Sequence, residues 1–496
     1  MDDVATGSWN LRGIRKFTRC GTLDKPAILF IELKGSPSED PAKSQIIRDL
    51  EKALRDTGIR IKSGIQLLAP APSDSIENAF AKVAKERDFL FVVLPSEAPE
   101  KYADIKNFAD RKYGIHTLCA IRRKIFETKG RAAYLANLAF KVNLKIGGSN
   151  HLVGPDNLQF IHEGRTMIVG IDVTHPSPSS SADAPSVAGM VASIDSQLGQ
   201  WPGILRAQQS RQEMVADLQM MLESRLDLWK SKGGHREYPE IIIVYRDGVS
   251  EGQYHIVLDE ELPLLRRACA RKYAPGRQPS MTLVVVGKRH HTRFYPIVRD
   301  DDDDKKGGKE QGRNKPAHHQ GKPPGKPYYK DQYQRNDDKN TDPNTDRSGN
   351  FKPGLLVDTG VTEHGLWDFY LQSHPAIQGT AKPAHYVVLL DEIFNRSRAP
   401  QDSQMNVVDK VHMMTQGLCY MFGRATRSIS YCTPAYYADI LCERSRRYLA
   451  KTFDGTDNKK SKDGNDQQEG LSPAQIAGFQ RSLAVHPNLK DTMFYL

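Results

Sequence analysis

The chain has 496 residues, too many for one ordinary domain, so two or three are expected. Hydrophobic residues make up 39% and aromatics 8%, enough for packed cores, yet mean hydropathy is −0.56, so the polarity must be concentrated in loops or coreless tracts. A net charge of +10 and a pI near 9.1 suggest a polyanionic partner, either nucleic acid or an acidic membrane surface, and no apolar run approaches the ~20 residues that would span a bilayer.

In chain order, residues 27–35 read as a strand and 40–57 as a charged amphipathic helix. A second apolar strand at 88–94 ends in Pro95-Ser96, followed by a helix at 101–113, a short strand at 116–121 and a helix at 132–143. Alternating strands and helices imply a parallel, doubly wound α/β domain with its ligands outside the carboxyl ends of the strands. A second, mixed α/β unit begins near Phe160, with strands at 166–173, 187–195, 239–246, 281–287 and 385–391. Its helices are expected at 204–231, 253–273, 404–421 and 434–451. Two tracts, about 300–350 and 456–469, are rich in Lys, Asp, Gly and Asn and too poor in aliphatics to order themselves. The five-Asp run at 300–304 reads as a solvated charge run, not a metal site. The N-terminus, Met1-Asp2-Asp3-Val4-Ala5, has no apolar signal core. The six cysteines (Cys20, Cys119, Cys269, Cys419, Cys432, Cys442) contain no CxxC pair. They read as reduced thiols of a cytoplasmic or nuclear protein.

The chemistry is concentrated where apolar strands end in carboxylates. Met167-Ile168-Val169-Gly170-Ile171 delivers Asp172, and Ile241-Ile242-Ile243-Val244-Tyr245 delivers Asp247. One such Asp is more simply a loop or helix cap. Two with matched flanks form a candidate platform for Mg²⁺ or Mn²⁺ and point to phosphodiester chemistry. Glu213 and Asp439 are further candidates on expected helices, Glu213 well inside one and Asp439 near the start of another; as a pattern, each could equally be a solvated helical carboxylate. In the first unit, Tyr102 with Lys106 and Lys141 with Lys145 lie at i, i+4. An aromatic face with several ammonium groups suits capture of a single-stranded 5′ end, although any one pair could be ordinary surface lysines.

Gly170-Ile171-Asp172-Val173-Thr174-His175-Pro176 and Tyr245-Arg246-Asp247-Gly248-Val249-Ser250-Glu251-Gly252-Gln253 resemble the first two catalytic motifs of the PIWI domain of eukaryotic Argonautes, in a fungal-type member. Gly287-Lys288-Arg289-His290-His291-Thr292-Arg293-Phe294 and Pro434-Ala435-Tyr436-Tyr437-Ala438 resemble further segments of that domain, in the same order. The first unit resembles the MID domain, so the likeness covers nearly the whole chain. It implies a lead-in segment at 1–25, a Rossmann-like MID domain at 26–155 that binds the guide 5′ end, and an RNase H-like PIWI domain at 156–496. It also implies a catalytic, metal-binding tetrad of Asp172, Glu213, Asp247 and Asp439 using Mg²⁺ or Mn²⁺.

The same resemblance places the guide 5′ phosphate on Tyr102, Lys106, Lys141, Lys145 and Arg444. The family's usual Gln position reads Leu118 here, and Thr117 is the substitute donor. Lys288, Arg289, His291, Arg293, His374, Lys382, Arg424, Ser430 and Tyr436 match positions along the guide backbone. The implied partners are a 5′-phosphorylated small guide RNA, a complementary target RNA and silencing-complex proteins, with no membrane. The implied activity is guide-directed RNA endonuclease cleavage leaving 3′-hydroxyl and 5′-phosphate ends; the alternatives are a guide-binding scaffold without cleavage and an RNase H-like nuclease or transposase without a guide. Because family members carry N-terminal and PAZ domains upstream, the chain is expected to be a part of a longer protein.

Overall fold

The computed structural model describes residues 6–9, 16–32, 41–69, 71–72, 75–154, 158, 161, 163–296, 344–346, 348–394, 406–453 and 470–496. Most of both low-complexity tracts, and the expected domain boundary at 155–156, lie outside the described residues.

The first unit is built on a parallel sheet in the order Gln66–Leu67, Pro26–Glu32, Phe89–Leu94, His116–Ile121, with Ala71–Pro72 also pairing to Pro26–Glu32. Strands Pro26–Glu32 and Phe89–Leu94 are buried at every position, which explains their unbroken apolar runs. One face packs on helices Pro41–Asp56 and Arg131–Lys145 through Ile28, Phe30, Leu50 and Leu138. The other packs Leu29, Leu90 and Val92 against Phe80 and Ile105. The expected helix at 101–113 starts earlier, at Pro99, and after Asn107 widens into a π-helical turn, Phe108–Tyr113, which ends at Gly114 with φ +64°. Such widened turns recur at functional sites, and this one turns Asp110 inward.

The second unit is an eight-stranded mixed sheet. Its order is Gly203–Gln208, Ser186–Ala192, Thr166–Thr174, Ile241–Asp247, Ser280–Gly287, Ala384–Asp391, Trp367–Gln372, Leu355–Val357. Only the two central pairings, of Ile241–Asp247 with Thr166–Thr174 and with Ser280–Gly287, are parallel. Alternate residues of Thr166–Thr174 face opposite cores. Met167, Val169 and Ile171 pack with Leu222 and Trp229, while Ile168 packs toward helices Val407–Tyr420 and Thr433–Tyr448. Gly170 lets the last of these helices approach closely, since a Cβ there would sit 1.9 Å from the carbonyl oxygen of Pro434.

One expected element is wrong. Residues 204–231 are not a single helix: Gly203–Gln208 is an edge strand, 209–217 a loop, and only Leu218–Ser231 is helical. Glu213 therefore stands on a loop, in which Arg211 takes φ +58°. The strands Leu355–Val357 and Trp367–Gln372 and the capped helix Pro473–Leu483 were not expected from the sequence. Among the described residues, no helix is long and apolar enough to cross a membrane. All six cysteines are free thiols.

Candidate active site and anion pocket

Two strand ends, a loop and a helix meet at the carboxyl edge of the central parallel strands. Asp172, Glu213, Asp247 and Asp439 all line one cleft of about 710 Å³. Glu213 reaches it because the loop is tied down. The fully buried Arg246 guanidinium donates to the Glu213 carbonyl at 2.7 Å and forks onto Glu261, with Nε 3.1 Å from Oε2 and Nη2 3.1 Å from Oε1. Glu261 in turn accepts from the Val215 amide at 2.9 Å. His175 Nε2 donates to Glu213 Oε2 at 2.7 Å, its Nδ1 resting on Ser186 Oγ at 2.8 Å. A Cβ on Gly248 would lie 3.7 Å from both Asp172 Oδ1 and Glu213 Oε1, which shows how near those two carboxylates come.

The electrostatics are those of an acidic site short of positive charge. Burial, and then repulsion from Asp247 and Asp439, push the Asp172 carboxyl up to about 8. Burial also raises Asp247, with Asp439 adding to it against the opposing pull of Lys288. For Glu213 burial acts upward too, but the His175 hydrogen bond and the Arg246 charge outweigh it and the carboxyl lies below its usual range. Glu213 Oε1 and Asp247 Oδ2 are buried without an aligned hydrogen-bond donor, although Arg246 Nη2 and Lys288 Nζ stand 2.9 and 3.2 Å away. Unsatisfied carboxylate oxygens with strained ionisation fit a hard divalent cation held by oxygen donors. Among the described residues, no three acidic, histidine or cysteine side chains are grouped closely enough to enclose one. Lys288 Nζ stands between Asp247 and Asp439 instead, 3.2 and 3.5 Å from their oxygens.

The second site lies where helix Thr433–Tyr448 meets the first unit. A pocket of about 230 Å³ is lined by Tyr102, Lys106, Lys141, Arg424, Arg444 and the chain end, Tyr495 and Leu496, among others. Arg444 pairs with Asp110 at 2.6 Å and donates to the Tyr495 carbonyl at 3.0 Å and the Tyr102 hydroxyl at 3.4 Å. Tyr448 also donates to Asp110, at 2.8 Å. Burial, then the charges of Arg424, Lys106 and Arg444, lower Lys141 to about 8. Cations packed this closely with one deeply buried counter-anion, Asp110, make a preformed anion site.

Several expected residues stand elsewhere. Thr117 is buried behind the pocket, where its hydroxyl and carbonyl accept from Lys106 Nζ at 2.8 and 3.0 Å; the wall itself is Leu118 and Cys119. Lys145 is also buried and does not line the pocket, because its ammonium donates to the Phe494 carbonyl. Arg424 belongs to this pocket and not to the backbone groove. A separate groove of about 580 Å³ gathers Lys288, His374, Lys382, Ser430 and Tyr436, and adds Arg427. Arg289 lines the acidic cleft instead. Arg293 spends its guanidinium on the carbonyls of His290 and Thr292, and exposed His291 lines neither cavity. Asp110, Glu261 and Tyr431 were missed. The only sequence signal for Asp110 is its position four residues after Lys106.

The parallel sheet, the larger mixed sheet and the carboxylates at its central strand ends define an α/β protein whose second half has an RNase H-like fold. The chain belongs to the Piwi family: the Piwi domain matches residues 89–450. It is 34% identical over 445 residues to protein argonaute 1B of rice, covering 84% of this chain but 34% of that protein, so it spans about a third of that relative's length. The MID-PIWI domains of N. crassa QDE-2 superpose with a TM-score of 0.63 at 27% identity, over 97% of this chain and all of theirs. The Argonaute of Kluyveromyces polysporus, solved with a guide RNA, shares the fold with a TM-score of 0.72 at 23% identity, over 99% of this chain and 53% of its own.

Proposed function

We propose that the chain binds the 5′-phosphorylated end of a small guide RNA and cleaves complementary RNA, with a MID domain at 26–155 and a Piwi domain at 156–496. The observation that carries this reading is that one helix, Thr433–Tyr448, serves all three cavities: Tyr436 lines the groove, Asp439 the acidic cleft and Arg444 the cationic pocket. Five residues separate Asp439 from Arg444, about 7.5 Å of helix rise, so the distance from anchored guide end to cleavage site is built into one rigid element. The K. polysporus relative's guide RNA supports an RNA partner.

Lys106, Lys141, Arg424 and Arg444 hold the 5′ phosphate, and Tyr102 offers a ring to the first base. Lys288, His374, Lys382, Ser430 and Tyr436 hold guide phosphates, leaving sequence choice to base pairing. Asp172, Glu213, Asp247 and Asp439 would hold Mg²⁺ or Mn²⁺, which when bound supplies Lewis acidity at the scissile phosphate. His175 and Arg246 orient Glu213, and Arg246 with Glu261 fixes the loop that carries it. Hydrolysis with departure of the 3′ oxygen leaves 3′-hydroxyl and 5′-phosphate ends. The test is cleavage of a complementary RNA in Mg²⁺ by guide-loaded protein. Asp172→Ala is expected to abolish cutting and retain guide binding; cutting that survives in the variant refutes the assignment, and a wild-type protein that binds guide but never cuts is a silencing scaffold.

A further inference from the structure

Among the described residues, Lys288 alone lines both the acidic cleft and the neighbouring groove. Its ammonium is drawn to two carboxylates and a hydroxyl. It stands 3.2 Å from Asp247 Oδ2 and 3.5 Å from Asp439 Oδ2, donates to the Tyr431 hydroxyl at 2.6 Å, and lies 4.1 Å from the centre of the Tyr431 ring. The Tyr431 hydroxyl in turn donates a hydrogen bond to Asp439 Oδ2 at 3.0 Å. Tyr431 is thus a seat for the ammonium: an oxygen at the rim of an aromatic ring to receive it, and a hydrogen bond that steadies the carboxylate beside it. The Tyr431 hydroxyl takes the short hydrogen bond, and the two carboxylates hold the ammonium chiefly by charge.

We infer that Lys288, seated on Tyr431, is a cation latch that couples metal binding to guide binding. In the guide-free protein the ammonium neutralises Asp247 and Asp439 in the place a divalent cation would occupy. A guide phosphate in the groove draws Lys288 away, and the carboxylates left without a counter-charge then bind the cation more tightly. By linkage, the cation strengthens the hold of Lys288 on the guide by the same factor. The metal site is thereby kept weak until RNA is in place. This inference rests on the metal and guide reading above.

The experiment is Mn²⁺ titration by calorimetry, on the full chain with and without a bound 5′-phosphorylated RNA. For the wild type, guide should tighten Mn²⁺ binding about tenfold, within the range usual for coupled sites. Lys288→Met should raise guide-free affinity to near the guide-bound value and erase the gain. Because deleting any nearby positive charge would favour Mn²⁺, Tyr431→Phe is the deciding variant: it keeps every charge and removes the hydroxyl that seats Lys288 and donates to Asp439, and the loss of the guide effect, not the affinity alone, reports on the seat. Tighter guide-free Mn²⁺ binding and a reduced guide effect in Tyr431→Phe support the latch. Wild-type affinity and an undiminished guide effect in that variant overturn it. Asp172→Ala separates the levels: if it abolishes Mn²⁺ binding while Tyr431→Phe changes nothing, the latch alone fails, and if Mn²⁺ binding survives it, the metal reading fails.

Discussion

Replacing Gly170 with Ala tests how the site is assembled. Its Cβ would fall 1.9 Å from the Pro434 carbonyl oxygen and 2.2 Å from the carbonyl carbon, both backbone atoms that no rotamer change can move. Ordinary contact begins near 3.4 Å, so helix Thr433–Tyr448 and strand Thr166–Thr174 must part by about 1.5 Å. Overpacking of this kind costs about 1–3 kcal/mol, a fall in Tm on the order of 5 °C for a unit this size. The same helix carries Asp439, and the strand carries Asp172. Displacement by an ångström or more at reacting groups typically costs about a hundredfold in rate. Thermal unfolding and single-turnover cleavage, measured on the same preparation, are expected to show a modest Tm loss with a disproportionate rate loss. An unchanged Tm would refute the close approach. A lower Tm with unchanged rate would refute the claim that this helix sets the carboxylate geometry.

Other outcomes follow from the cationic pocket. Lys141, lowered to about 8, is charged below that, so affinity for 5′-phosphorylated RNA should be flat from there down to about pH 6, where the phosphate itself begins to take up a proton. Above pH 8, phosphate binding must take up a proton, and affinity should fall by up to about tenfold per pH unit while that of 5′-hydroxyl RNA does not follow; equal pH profiles would remove Lys141 from the phosphate site. Lys141→Ala should lower the preference for a 5′ phosphate at least about tenfold with little change in Tm. Lys145→Met, which breaks the bond to the Phe494 carbonyl, should instead act mainly on Tm; the reverse pattern would restore Lys145 to direct contact. Asp110→Asn removes a buried charge partner of Arg444 and is expected to cost about 3–5 kcal/mol in denaturant unfolding. A loss below 1 kcal/mol would mean that the pair is not structural.

The strands carrying Asp172 and Asp247 could be read because both are buried on two faces, and a continuous apolar run ending in a carboxylate survives without tertiary information. Glu213 was placed on a helix because residues 204–231 are rich in helix formers, and the edge strand Gly203–Gln208 is too short for its alternation to register. What holds the loop is tertiary: Gln208 Nε2 donates to the Gln212 carbonyl at 2.7 Å, and Arg246 with Glu261 grips the other side. The same limit separated Lys141 from Lys145. Both sit on one helix face, and only the chain end, folded back so that Phe494 meets Lys145, decides which ammonium faces the pocket. Tyr431 gave no local signal, since its role depends on a lysine 143 residues earlier in the chain.

The central claim is that one helix fixes the cleavage site relative to the anchored guide end. It is tested most directly by mapping the cut in a single target with guides that share a 5′ end and differ in length at the 3′ end. The account predicts one cut, at a constant distance from the guide 5′ end for every length, and its loss in Asp172→Ala. A cut that tracks the guide 3′ end, or cleavage that does not need the guide, would contradict it.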